Sequence, residues 1–188
     1  AANRKTPDYP AMQVMNAALG GLFSSRINLN LREEKGYSYG VFSGFRYDRT
    51  PGPFAIAGSV RTDVTGASLA EIFKEVRGIR SAPLPADELA GARDSQVYSL
   101  PGQFETNSTI VASLAEAYVF DLPADVWRTL PDQLRGVTAA QVQAVANKYL
   151  APDKMKVIAV GDKAAVLPQL KDLGLGQPEM RDADGQLP

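Results

Sequence analysis

Apolar positions recur at helical spacing along most of this chain and give way to alternation in one region. Met12, Met15 and Leu19, with Ala11 and Ala18, form a stripe along a segment that opens near Asp8. Pro10 falls in its first turn, where proline is tolerated, and Asp8 or Thr6 is the expected cap. Gly20 and Gly21 end this helix, since glycine takes positive φ at little steric cost. Ile27 and Leu31 then lie four apart, with Leu29 on another face, which predicts one or two helical turns. Alternation follows. Ser38–Tyr47 carries Tyr39, Val41, Phe42, Phe45 and Tyr47, and Pro53–Val60 carries Phe54, Ile56 and Val60. The turn cluster from Asp48 to Pro53 joins them as an antiparallel hairpin.

Helical spacing returns with Leu69, Ile72, Phe73, Val76 and Ile79, after a cap at Thr62-Asp63. Further helices are predicted over Ala86–Ser99 and from about Phe104 to Phe120, with a short turn at Asp125–Leu130 that holds the sole tryptophan, Trp127. Thr138-Ala-Ala-Gln141 has the pattern of a capping box and starts a helix with Val142, Val145, Ala146 and Tyr149 on one face. Met155–Val160, closed by Gly161, reads as a buried strand that joins the sheet from far away in sequence. A short helix near Lys163–Leu170 precedes residues 173–188, a frayed tail rich in Gly, Pro and Asp. Ala1–Pro7 reads as a frayed lead-in. This order predicts an α+β two-layer sandwich: a small, mostly antiparallel sheet with helices packed on one face. The expectation is a single domain over 1–188, with its core at about 8–161.

Composition narrows the function. Twenty basic and 21 acidic residues leave a net charge of −1, and no dense basic run is present. Counterion-release binding to nucleic acid needs such a run. The longest apolar stretches, such as Thr109–Phe120, are too short for a membrane span, and this one contains Glu116. There is no Cys, hence no disulfide framework or redox motif, and no His. Zinc sites draw on Cys and His, so this chain has no zinc site of its own to offer. Ser-His-Asp and Cys-His catalysis are excluded.

The remaining candidate chemistry lies around the helix-to-strand turn. Arg32 ends the short helical segment, and Tyr39 follows seven residues later, past Gly36. A cation and a phenol on either side of one bend are placed to face one ligand. Tyr37 competes for the phenol's role. The bland alternative makes Arg32-Glu33-Glu34-Lys35 a solvated helix end, with Arg32 paired to a carboxylate. Arg26 reads as a structural ion-pair or capping residue, Gly36 and Gly40 as turn and strand-entry residues, and Asp87, Glu88 and Asp94 as helix-face charges.

The stretch Leu19-Gly20-Gly21, Ser25-Arg26-Ile27 and Leu31-Arg32-Glu33-Glu34-Lys35-Gly36 up to Tyr39 resembles the pitrilysin/insulinase-type zinc peptidases, which include mitochondrial processing peptidase. Val137–Val142, Lys148–Asp153 and Val157–Gly161 resemble that family's domain ending, so the likeness runs from about Asp8 to Gly161. In that family similar domains pair as a clam-shell around a peptide. One carries an H-x-x-E-H zinc motif, and the other lacks the metal and supplies an Arg and a Tyr near the scissile carbonyl. The resemblance implies that this chain is the metal-free, C-terminal-type half, with Arg32 and Tyr39 as substrate-binding and oxyanion-supporting residues and Tyr39 preferred to Tyr37. It implies no cofactor in this chain, zinc in a homologous partner domain on the same or another polypeptide, and a peptide substrate. Similar bacterial proteins are exported, which favours a periplasmic or other exported location. The alternatives are a non-catalytic assembly or scaffold domain of the same fold, and a module that binds peptide along a sheet edge. The start at Ala1 without Met suggests a missing preceding strand, whose absence would open a sheet edge and invite self-association.

Overall fold

The computed structural model describes residues 2–182 and 184–187. The first apolar stripe folds as α1 (Tyr9–Asn16) and continues as a wider π-helical turn over Ala17–Gly21. Met12, Met15 and Leu19 are fully buried. The helix ends at the expected glycines, for a different reason. Neither has positive φ. A Cβ on Gly20 would come within 2.5 Å of Ser43 Oγ, and one on Gly21 within 2.7 Å of Asn16 Nδ2. Glycine here lets the helix press against the hairpin. Gly20→Ala is therefore expected to cost about 1–3 kcal/mol by overpacking, read as a lower urea midpoint. Gly44→Ala, with open space at its Cβ, should leave the midpoint no lower.

α2 (Arg26–Asn28) likewise widens into a π-helical turn over Leu29–Glu34. Ile27 and Leu31 are buried and Leu29 is exposed, as the spacing predicts. Gly36, at φ +62°, turns the chain into β1 (Ser38–Phe45). β1 pairs antiparallel with β2 (Phe54–Val60), and these two strands form the sheet among the described residues. α3 (Thr65–Ser81), α4 (Ala86–Ser99), α5 (Asn107–Val119), α6 (Val126–Arg135), α7 (Ala139–Tyr149) and α8 (Lys163–Leu170) follow. α1 packs on α4, α6, α7 and β1. The core therefore lies on one side of the hairpin, through Val41, Val76, Ile79, Leu134, Val142 and Leu150. The other side is open, with Phe42, Ala55, Ala57 and Ser59 exposed. The α+β architecture with helices on one sheet face is as expected.

Several boundaries differ. α5 starts at Asn107 because Leu100–Phe104 forms a 3-10 turn and Thr106 makes a capping box with Thr109. α6 runs on to Arg135 through Pro131. The proline removes one backbone bond, and burial of Leu130 and Leu134 outweighs it. The capping box of Thr138 and Gln141 forms as expected. Met155–Val160 is corrected outright. Among the described residues it joins no strand, and Ile158 is 90% exposed and Val160 97%. After Leu173 the described residues form no helix or strand; the part of the tail at Ala183 and Pro188 lies outside the described residues.

The lead-in is also corrected over its described residues, where Ala2 and Arg4 are buried; Ala1 lies outside them. Arg4 is buried, lies 3.5 Å above the Tyr9 ring and pairs with Glu116 of α5. Asp8 precedes α1 but makes no side-chain cap. Its carboxylate instead accepts hydrogen bonds from Lys148 Nζ and Tyr149 Oη, each at 2.6 Å, and so ties the start of α1 to the end of α7. The Lys148 and then the Tyr149 hydrogen bond hold the Asp8 carboxyl below its ordinary 3.8. A lowered folded value stabilises the fold above the unfolded value, and the contribution fades as pH falls through the folded one. Asp8→Asn should therefore lower the unfolding midpoint at neutral pH, with the difference from the parent protein shrinking below about pH 4.

Candidate functional site

The helix-to-strand bend is held by a buried amide. Asn28 is fully buried; its Nδ2 donates to the Leu22 carbonyl at 2.9 Å, and its Oδ1 accepts from the Val41 N–H at 2.9 Å. One side chain thus bonds the loop before α2 to the middle of β1. Asn30 ties the same segment to α3, its Nδ2 donating to Glu71 and Glu75, both at 2.8 Å. That bond, followed by the Lys74 contact, holds the Glu71 carboxyl below the usual carboxylate range. Arg26 forks onto Glu88 of α4 through Nε at 2.6 Å and Nη2 at 2.7 Å, which raises its already high pKa. Arg26 is thus an ion-pair residue, as expected, and Glu88 is its structural partner rather than a free helix-face charge.

These ties set where Arg32 and Tyr39 lie. β1 and β2 lose register between Ser38 and Val41, where β1 carries one residue more than β2. Strict alternation would put Tyr39 on the side of Val41 and Ser43, which are buried. The extra residue reverses the phase, and Tyr39 is 97% exposed. Ser38 Oγ secures the irregular turn, donating to the Ser59 carbonyl at 2.6 Å and accepting from the Gly40 N–H at 3.0 Å. Tyr37 is only half-exposed, and its backbone is engaged on both sides, with its N–H bonded to Leu31 and its carbonyl to Arg61.

Arg32 is exposed. It pairs with the neighbouring Glu33 at 2.7 Å and lies 5.3 Å from the centre of the Phe23 ring. Phe23 meets Phe42 edge-on, with centroids 5.1 Å apart. Phe42 in turn folds over Gly40, where a Cβ would sit 2.9 Å from the ring. A continuous row of exposed groups thus leads from the guanidinium through two aromatic rings onto β1, the strand that carries Tyr39. Sequence reading found the two ends of this row and missed Phe23 and Phe42. The signal was present in a phenylalanine set in the polar Gly-Leu-Phe-Ser-Ser turn. It also missed Asn28 and Asn30, which stand out as amides between buried apolar positions of a helix.

Among the described residues no group of three His, Cys, Asp or Glu side chains is placed to hold a metal ion. With no His or Cys in the chain, its residues do not fit a zinc ion. No described helix is long and apolar enough to cross a membrane.

The class these features define is a two-layer α+β domain with an exposed cation-and-phenol bend and no zinc ligand set of its own. The family model of the peptidase M16 inactive domain matches residues 1–96, and the chain belongs to that family. The resemblance to zinc peptidases read from the sequence therefore holds. No functionally curated protein matches. Among solved structures, a peptidase M16 inactive domain from Pseudomonas fluorescens is 30% identical with a TM-score of 0.74, over 81% of this chain and 36% of that one. The inactive peptidase domain of a candidate zinc protease from Bordetella parapertussis is 20% identical with a TM-score of 0.68, over 80% and 82%. A protease from Helicobacter pylori is 17% identical with a TM-score of 0.70, over 81% and 36%. The last two show the shared fold alone. This chain spans little more than a third of the length of the Pseudomonas and Helicobacter chains.

Proposed function

We propose that this chain is the metal-free half of a clam-shell zinc endopeptidase and acts on peptides only against a zinc-bearing homologous domain. Family membership supports the first part of this reading. One observation carries the second: the phenol of Tyr39 is turned off the core by a strand irregularity, on the same strand to which an exposed row from Arg32 leads. A side chain so exposed has no packing role, and its hydroxyl has no hydrogen-bond partner among the described residues.

The partner domain contributes the metal and the general base. The role of this chain is to bind and to polarise. An extended peptide lies along the open side of the hairpin, over Phe42 and Phe23, which offer apolar surface. Arg32, permanently charged, holds peptide carbonyls in its donor fork. Tyr39 donates its hydroxyl proton in a hydrogen bond to the scissile carbonyl oxygen as negative charge builds there. A preorganised donor of this kind contributes a few kcal/mol selectively in the transition state.

Reconstitution is the test. The chain alone is expected to leave peptides intact. Mixed with a zinc-bearing homologous domain it should support cleavage that neither component shows separately. Full cleavage by the zinc-bearing domain alone, unaltered by this chain, would leave the scaffold reading in its place.

A further inference from the structure

α5 is attached to the domain by charge more than by packing. None of its apolar side chains enters the core cluster. Ser113 is its one buried residue, while Val111, Leu114, Tyr118 and Val119 are exposed. Its C-terminal half instead meets three basic residues from the lead-in and the hairpin loop. Arg4 pairs with Glu116, Arg49 Nε donates to the Val119 carbonyl at 3.0 Å, and Lys5 pairs with Asp121 just past the helix. Cations suit this end, where the last carbonyls lack helical partners and the helix dipole is negative. The three contacts differ in weight. Lys5 and Asp121 are both exposed, and such a pair contributes little. The Arg4 side chain is only 4% exposed. Loss of Glu116 would leave that guanidinium in the interior without its counter-charge, which is costly. The other end of α5 is fixed without charge. Thr106 caps it, Phe104 rests edge-on against Trp127 with centroids 5.9 Å apart, and Leu100 packs on the core.

We infer that α5 is a hinged strap, latched near its C-terminal end by the Arg4–Glu116 pair, that opens as a unit while the core stays folded. The hinges are the 3-10 turn Leu100–Phe104 before the helix and Asp121 after it. Asp121, at φ +50°, is the one described non-glycine residue with positive φ. Opening takes no apolar side chain of α5 out of the core, whereas releasing α1 or α7 exposes Met12, Leu19, Val142 and Val145. The strap therefore opens at a lower free energy than the domain unfolds. In the open state water replaces Glu116 around Arg4, so the penalty for a buried unpaired charge is avoided. The latch thus favours the closed state as long as both partners are present. The inference is independent of any peptidase role.

Native-state amide hydrogen exchange of the chain in low urea is the test. Amides of residues 111–119 should exchange about a hundredfold faster than the slowest amides of α1 and α7, and with a shallower dependence on urea, because less surface is exposed. Glu116→Gln should speed exchange in α5 about tenfold or more. Arg49→Ala, which alters only an exposed contact and leaves the core untouched, should speed it about twofold to fivefold. Ile79→Val, a change in the core under α7, should speed the slowest amides of α7 and leave α5 as it is. Exchange in α5 at the rate and urea slope of α7 overturns the inference, since the helix then opens only with the whole domain. Exchange in α5 that ignores both Glu116→Gln and Arg49→Ala overturns it equally, as does acceleration of α5 by Ile79→Val to the same degree as α7.

Discussion

Tyr39→Phe, reconstituted with a zinc-bearing homologous domain, is expected to lose about 10²–10³-fold in kcat with little change in KM. The variant deletes one oxygen from a side chain that is almost entirely in solvent, so neither folding nor packing accounts for a loss of that size. The split between the two constants carries the argument. A hydroxyl that meets the carbonyl oxygen only as charge develops there acts on the transition state, and its removal leaves ground-state binding intact. Arg32→Ala should differ in kind. A guanidinium that holds the peptide's carbonyls contributes to ground and transition states together, so its loss should appear mainly as a KM raised about tenfold. Arg32→Lys should restore little of it, since a lysine keeps the charge but not the planar fork that also lies near Phe23. Tyr37→Phe serves as the comparison, because that ring is half-buried and its backbone is tied on both sides. If Tyr39→Phe and Arg32→Ala both turn over substrate like the parent, the pair has no part in cleavage.

Asn28→Leu should be among the most destabilising single changes in the chain, at about 1–3 kcal/mol. The replacement is close in shape and fills the site, so a cavity is not the cause. It leaves the Val41 N–H in the interior without its partner, whereas the Leu22 carbonyl keeps the Ser25 N–H and hydroxyl. Urea unfolding followed by Trp127 fluorescence would measure the loss as a lower midpoint at unchanged slope. There should be a second consequence. Asn28 bonds the loop before α2 to β1 just past the strand irregularity that turns Tyr39 outward. Any variant that remains folded should therefore lose the benefit of Tyr39, so that adding Tyr39→Phe to Asn28→Leu costs much less in kcat than Tyr39→Phe alone. Additive losses would place Asn28 outside the alignment of the bend and leave it a purely structural role.

Much of the chain was legible before folding was considered. α4 and α8 lie where their spacing puts them, and the capping box of Thr138 and Gln141 starts α7. Local rules suffice there, because helix spacing and caps involve residues within a few positions of one another. The larger errors, unlike the shifted boundaries of α5 and α6, share one physical origin, in partners distant in sequence. Asp8 reads as a cap and instead bonds Lys148 and Tyr149 of α7. Arg4 reads as part of a loose lead-in and is buried against Tyr9 and Glu116. Met155–Val160 has the composition of a central strand, but the described sheet contains no neighbour for it.

Composition and order alone pointed to the α+β class, showed the lack of histidine and cysteine, and set Arg32 and Tyr39 on either side of the bend. Those are properties of residue type and spacing, which survive in an unfolded chain. Which way Tyr39 faces is another matter. It rests on one unmatched residue between Ser38 and Val41 and on an amide thirteen residues before Val41 that accepts its N–H. A strand's period of two carries no record of a skipped pairing, since pairing belongs to the two strands together. For that reason the outward turn of the phenol, like the unpartnered run at Met155–Val160, emerges only once the chain is folded.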